Sequence, residues 1–510
     1  MRTFNSDVLD QVEDILNIGI ALSLEKDHNR LLEMIVSEAR RITNADGGTL
    51  YLRDGDFLVF KITQNESLQS FQGGSGEPIN LPPVPMRMEN VSSYVALHNE
   101  SVNIPEVYEA EGFDFSGPKN YDKIIGYRTV SMLVIPLENH EGEVIGVLQL
   151  INALDDHKQP VPFSPDFEKV ISSLASQAAI SLTNQQLMED IEQLFNSFVE
   201  VMATAIDSRT PYNAHHTRRV ALLSGALATV IDNENEGRWA DVHFDIDRTK
   251  QLVMAAWLHD IGKIATPLAV MNKCSRVETQ LELILQRLDY IEQTIKTGYL
   301  EKMLALRADV DVAPDTQASL EKSWEEQKMM LAQSRDLIIK VDNPATFVDQ
   351  ETQNQLQEIA SRRYVDCSGR ELPWLTQDEL INLTVVKGTL TEPERKIMED
   401  HVLVTQRMLE KIPFINKLKE VPFFASIHHE HLDGKGYPLG LKAEDIPLEG
   451  RILALTDVFD ALTAADRPYK KAMPVDQALK ILGFMVKDGE LDGDLLDIFI
   501  KHQVWEKIDA

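Results

Sequence analysis

With 510 residues, the chain is longer than one hydrophobic core usually supports, so two or three domains are expected. Its net charge of −31 excludes a protein that coats nucleic acid polymers or anionic membrane through its overall field, and a small anionic substrate would need a local positive site. Two cysteines, Cys274 and Cys367, give neither a disulfide framework nor a pair of zinc-binding CxxC motifs, and they suit a reducing compartment.

Residues 1–23 carry one early arginine, then acids, and never reach the uninterrupted apolar run of a secretory signal; they read as an N-terminal helix. No segment approaches the roughly 18 consecutive apolar residues of a membrane span, so a cytoplasmic protein without membrane contact is expected. LLEMIVSEARRI spaces its apolar residues at helical intervals, whereas GTLYLRDGDFLVFKI alternates around a turn at Asp54 and Gly55. VSMLVIPLENHEGEVIGVLQLIN reads as two strands joined by a turn from Asn139 to Gly142, apolar enough to lie centrally in a sheet. After Phe163 the strand signals stop.

From Asp166 the pattern is one long helix. Ile180, Asn184, Leu187, Ile191, Leu194, Phe198 and Val201 recur at alternating spacings of four and three, which is a heptad seam. Such a seam buries itself best against a second copy, and the polar Asn184 suits a parallel pair in fixed register. A dimeric connector over residues 180–205 is therefore expected; the other reading is a helix packed on its own domain. The stretch from Leu24 to Asn184 resembles a GAF domain through LLEMIVSEARRITNADGGTLYL, SVNIPEVY, GYRTVSMLVIPLENHEGEVIGVLQLIN and LASQAAISLTNQQL. The resemblance implies an α/β sensor domain over 24–179 that takes an unknown small ligand. Asn152, Phe163, Asp166 and Glu168 echo the motif of GAF domains that bind cyclic nucleotides, although Ala153 replaces its lysine. The alternative is that they cap a helix starting near Ser164.

In the C-terminal half, His and Asp recur on segments that otherwise read as buried helices, where a lone charge is costly and a metal repays the burial. LVMAAWLHDIGK runs into His259 and Asp260, with Lys263 expected one turn along the same helix face. His401 shares a face with Ile397, Met398, Val404 and Met408. FFASIHHEHLDGKGYP delivers His428 and His429, then Glu430 and a Gly-rich turn. Asp457 lies on a face with Leu453, Ala454, Asp460 and Ala461, and His216 on one with Val220, Leu223 and Leu227, whereas His215 points elsewhere. Five imidazoles and two carboxylates suit two divalent first-row metals such as iron or manganese better than a structural zinc, and two such ions point to phosphodiester hydrolysis.

The same residues resemble the HD-GYP family of cyclic di-GMP phosphodiesterases through HTRRV, HDIGK, LTEPERKIMEDH, HHEHLDGKGYP, IPLEGRI and DVFDALTAADRPYK. The resemblance runs from Phe198 to Phe499 and implies an all-α domain over 206–510. It implies that His216, His259, Asp260, His401, His428, His429 and Asp457 hold the metals, with Asp260 and Lys263 acting in catalysis. Lys263, Arg467 and Lys470 would contact substrate phosphates, and Gly436, Tyr437 and Pro438 would form a substrate-binding loop. The implied reaction opens cyclic di-GMP to pGpG and then GMP under control of the sensor domain. Another cyclic dinucleotide such as 3′,3′-cyclic GMP-AMP is the rival substrate, and a slow signalling adaptor is the rival role.

Three departures stand out. Tyr212 occupies the position where some relatives carry a glutamate for a third metal, so two metals are expected. Pro267 is followed by Leu268 where relatives have Asp. Residues 274–387 interrupt the family pattern with charged amphipathic helices and the loop CSGRELPWL, which reads as a projecting helical hairpin serving as a lid, a surface for a protein partner or a dimer contact; the alternative is a tolerated surface insertion, since loop closure costs little with length.

Overall fold

A computed structural model describes residues 16–116, 119, 122–123, 126–209, 215–308, 314–414, 416–464 and 473–508. Tyr212, Arg467, Lys470 and most of the expected N-terminal helix lie outside the described residues. The chain divides into two compact units, the boundary following Phe195 inside one helix, Pro165–Asp207.

The first unit is built on a sheet ordered β3-β2-β1-β7-β6-β5, with β1 at Ala45–Asp54, β2 at Phe57–Asn65, β3 at Ser70–Gln72, β5 at Val102–Ile104, β6 at Met132–Glu138 and β7 at Val144–Leu154, and with the short β4, Val84–Pro85, also pairing with β2. The expected hairpin is present, and Gly55 supplies the positive φ its turn requires. The apolar strand pair is also central, since β7 lies between β1 and β6. Strand alternation sends Leu50 and Leu148 into one core and Tyr51 and Val147 into another. The first core is closed by Leu31, Ile35 and Val36 of the helix His28–Thr43 and by Ile171, Leu174 and Ala178 of the long helix.

Asn152 accepts from the amides of Val130 and Ser131 and donates to the Tyr127 hydroxyl and the Arg128 carbonyl. Phe163 is core, and Asp166 and Glu168 lie in the first turn of the long helix, where they complement its dipole. Asn152 and Phe163 thus have work in holding the fold. Further along the helix the seam is open in a single chain: Leu187, Ile191, Leu194, Phe198 and Val201 are 45–71% exposed.

The second unit is mainly helical. Its largest core joins Leu223, Leu227 and Leu252 to Ile452, Leu455, Phe459, Leu482 and Phe499. The insertion has a core of its own, in which Ile284, Leu288, Ile291, Leu331 and Ile338 pack with Leu356, Trp374 and Leu383. Its helices Gln280–Ala308 and Pro314–Asp342 run antiparallel, as the Tyr299–Trp324 stack and the Asp289–Arg335 ion pair require. The expectation of no strands beyond Phe163 is corrected: Arg363–Val365 pairs with Glu371–Pro373 in a hairpin turned by Asp366 and Gly369. These strands are three residues each, too short to give a periodic signal. The fully buried Arg276 donates to the carbonyls of Val341, Asn343, Thr346 and Val385, tying the base of the insertion together. Its ends meet where the Thr389 hydroxyl donates to the Lys273 carbonyl at 2.9 Å. Among the described residues no helix is long and apolar enough to cross a membrane.

Candidate metal centre

Five separate chain segments converge here, carrying His216, His259 with Asp260, His401, His428 with His429, and Asp457. The helix Ile246–Leu258 ends as it delivers His259, and the chain turns at Asp260 into a 3-10 segment, Ile261–Ala265. This corrects the expectation that Lys263 continues the His259 helix face. The break has a local cause: Gly262 packs directly on the helix Glu392–Leu409, its amide donating to the Thr405 hydroxyl at 2.9 Å while that hydroxyl donates to the His259 carbonyl at 3.0 Å. A Cβ at position 262 would overlap the His401 carbonyl oxygen and lie 2.6 Å from the Thr405 amide nitrogen. The helix is turned differently from the expectation, with His401, Val402, Thr405 and Leu409 buried and Ile397 40% exposed.

The imidazoles are oriented by backbone carbonyls. Nδ1 of His259 donates to Ala256 at 2.7 Å, that of His401 to Met398 at 2.5 Å, and that of His428 to Ala425 at 2.9 Å. A carbonyl can only accept, so in the neutral ring each Nε2 carries a free lone pair. His216 is held in the same sense by Asp460, at 2.7 Å from its Nδ1. His215 is exposed, in keeping with its expected place off the site.

The structure brings all seven expected residues together: six form two trios, His216 with His259 and Asp457, and His401 with His428 and His429, and the seventh is Asp260. Within each trio, the candidate ligand atoms lie within 4.8 Å of one another. Asp260 stands between them. Its Oδ1 is 3.4 Å from His401 Nε2 and 4.0 Å from His428 Nε2, while its Oδ2 is 3.3 Å from His259 Nε2 and 3.8 Å from His216 Nε2. His259 Nε2, His401 Nε2, His428 Nε2 and Asp260 Oδ1 are buried without a hydrogen-bond partner. Each such orphan costs about 1–3 kcal/mol, and cations between the trios would satisfy all four. The donor set fits two divalent metals.

The electrostatics point the same way. Burial opposes charge on His216 and His259, yet Asp457, Asp460 and Asp260 hold His216 up at about 9, and Asp260 and Asp457 hold His259 up to about 10. The first trio therefore favours positive charge even though it is buried. Burial, with a neighbouring imidazole adding to it, pushes His428 well down and His429 down to about 3, so these two rings are neutral donors. Lys263 Nζ is 2.5 Å from Asp260 Oδ2, and its charge helps hold that carboxyl well below the usual range against desolvation.

The loop that carries Gly436, Tyr437 and Pro438 folds over His429. The Tyr437 ring stacks on that imidazole at 4.8 Å, and its amide donates to the His429 carbonyl at 3.1 Å. Glu430, which sequence reasoning left without a role, is buried and accepts from the amides of Leu439, Gly440 and Leu441. A side chain at Gly436 would overlap the backbone nitrogen of His431.

Asp460 is a second residue that sequence reasoning gave no role. It accepts from Arg219 Nε at 2.6 Å as well as from His216, and its place one turn after Asp457 on an apolar face was the available signal. Asp460→Asn is expected to weaken metal binding about 10–100-fold, the usual cost of removing a carboxylate that orients a ligand histidine. Competition with a graded series of chelators measures it, and unchanged affinity would remove this role.

Residues 27–182 match the GAF domain family, and residues 375–495 match the HD domain family, so the chain carries a GAF domain followed by an HD domain. Over 96 residues it is 44% identical to 3'3'-cGAMP-specific phosphodiesterase 3 of Vibrio cholerae, covering 19% of this chain and 20% of that one. It is 46% identical over 96 residues to the cyclic di-GMP phosphodiesterase response regulator RpfG of Xanthomonas campestris, covering 19% and 25%. It is 40% identical over 95 residues to a cyclic di-GMP phosphodiesterase of Thermotoga maritima, covering 18% and 25%. The matches thus span a quarter or less of these relatives' length.

Proposed function

We propose that this protein hydrolyses cyclic di-GMP at a two-metal centre in its HD domain, under control of its GAF domain. The observation that carries the reading is the Asp260 carboxylate set between two trios whose buried Nε2 atoms face it without partners. His216, His259 and Asp457 would hold one ion, and His401, His428 and His429 the other, with Asp260 shared. Iron or manganese suits this nitrogen-rich mixed set. When bound, such a pair supplies Lewis-acid activation of a water and of a phosphoryl oxygen.

The chain's own residues do the rest. The carbonyl-locked Nδ1 atoms and Asp460 fix the rings before any ligand arrives, so little reorganisation is needed. Lys263 keeps Asp260 ionised and offers positive charge to the phosphoryl oxygens. Glu430 holds the Tyr437 loop in place as one wall of the substrate site. Arg467 and Lys470 are our further candidates for phosphate contact. Water adds across a P–O3′ bond, leaving a 5′-phosphate and a 3′-hydroxyl; one cut gives linear pGpG and a second gives GMP.

The relative specific for 3'3'-cGAMP, at 44% identity, makes that dinucleotide the second substrate to test. Chromatography of products after anaerobic incubation of manganese- or iron-loaded protein with each dinucleotide decides. We expect pGpG or GMP from cyclic di-GMP, only with metal. Turnover of the mixed dinucleotide alone would reassign the substrate, and no turnover of either with a filled centre would favour an adaptor role.

We further propose that the exposed seam of the long helix pairs with a second copy of the chain, because a run of five apolar residues at heptad spacing is left half- to mostly-exposed among the described residues. Sedimentation of the full chain should give a dimer that Leu187→Glu with Leu194→Glu splits; an unaltered dimer would place the contact elsewhere. The GAF domain would take a small ligand, and the insertion a protein partner. Two exposed, unpaired cysteines suit the cytoplasm.

A further inference from the structure

The helix His216–Asp232 begins without a cap of its own. The residue at its N-cap position, His215, sits at φ +63 and makes no side-chain hydrogen bond to the first turn. The missing acceptor comes from another helix. Asp207, the buried last residue of Pro165–Asp207, accepts from the Thr217 hydroxyl at 2.8 Å and from its amide at 3.3 Å. Thr217 adjoins His216. Two residues beyond Asp207, the half-buried Arg209 donates through Nη1 to the Lys263 carbonyl at 2.6 Å and through Nη2 to the Thr266 carbonyl at 3.3 Å. These carbonyls close the C-terminal end of the 3-10 segment that follows Asp260 and carries Lys263.

One short stretch at the end of the long helix therefore fastens two backbones of the candidate metal centre, and both serve the same trio. Asp207 fixes the start of the helix bearing His216; Arg209 fixes the turn that follows His259 and Asp260. Neither side chain reaches the His401, His428 and His429 trio by any hydrogen bond among the described residues. We infer that Asp207 and Arg209 are positioning residues that set the geometry of the His216, His259 and Asp457 half of the centre, so that movement of the helix end loads or empties that half selectively. The inference rests on the proposed two-metal reading.

The test uses the full chain as wild type, Asp207→Ala, Arg209→Ala and Arg209→Lys. Metal per chain is measured after manganese loading and dialysis against a weak chelator, and hydrogen exchange is followed in the metal-free protein. Wild type should retain two ions. Each alanine variant should retain one tightly, with the other weakened at least about ten-fold, and Arg209→Lys should recover part of the loss because one donor can still reach a carbonyl. Exchange should quicken around Thr217 in Asp207→Ala and across 263–266 in Arg209→Ala, and stay unchanged around His401. Retention of both ions at wild-type affinity, or equal weakening of both, would overturn the inference. If wild type itself held no metal, the two-metal reading would fall, while local exchange changes would still show whether these side chains fasten their segments.

Discussion

Asp260→Asn should abolish turnover of cyclic di-GMP, by at least about 1,000-fold, which corresponds to about 4 kcal/mol of transition-state stabilisation. The substitution preserves shape but removes the charge that both trios share, and an amide nitrogen would face imidazole Nε2 atoms that themselves need a cation. Lys263, whose ammonium is 2.5 Å from the carboxylate, would lose its only ion-pair partner recorded among the described residues. Metal content should fall with activity, because the first trio keeps one carboxylate and the second has none. Rapid-quench chromatography together with elemental analysis measures both. Activity within ten-fold of wild type would mean that Asp260 does not bridge the centre.

Gly262→Ala should strongly destabilise the second unit. The added carbon would meet backbone, the His401 carbonyl and the Thr405 amide, which cannot rotate away as a side chain can. Overpacking of this kind costs about 1–3 kcal/mol, and the upper end applies where backbone must move. Separating the two backbones would also break the hydrogen bonds through Thr405 that join His259 to the His401 helix. The expected result is a lowered thermal transition of the second unit and weaker metal binding, read by calorimetry and chelator competition. A transition unmoved by the substitution would contradict the close packing described above.

Much of this was legible in the sequence because the informative residues contradict their surroundings. His259, His401, His428 and Asp457 stand out as polar groups on apolar stretches, and burial of such groups demands a partner. The central strands and the long helix were legible for the opposite reason: their apolar periodicity is sustained over many residues. What escaped was set by contacts distant in sequence. Nothing near Gly262 announces that it abuts residue 401, so the apolar pattern reads as a helix continuing through Lys263. The face of the His401 helix was misjudged for a similar reason, since Thr405 looks polar but is buried by its bonds to His259 and Gly262. The insertion read as projecting helices because its charged sequence dominates, while its core draws on the separated Leu356, Trp374 and Leu383.

The contact between Thr405 and His259 joins residues 146 positions apart, with the whole insertion between them. At the usual ~5–20 residues per second of synthesis, a ribosome would release the second of these roughly 7–30 s after the first. For that interval His216, His259 and Asp260 wait in the nascent chain without the histidines that complete their setting, and Asp457 arrives later still. The insertion, whose core is internal, can finish folding first. The complete donor set of the proposed metal centre thus exists only once translation is nearly finished.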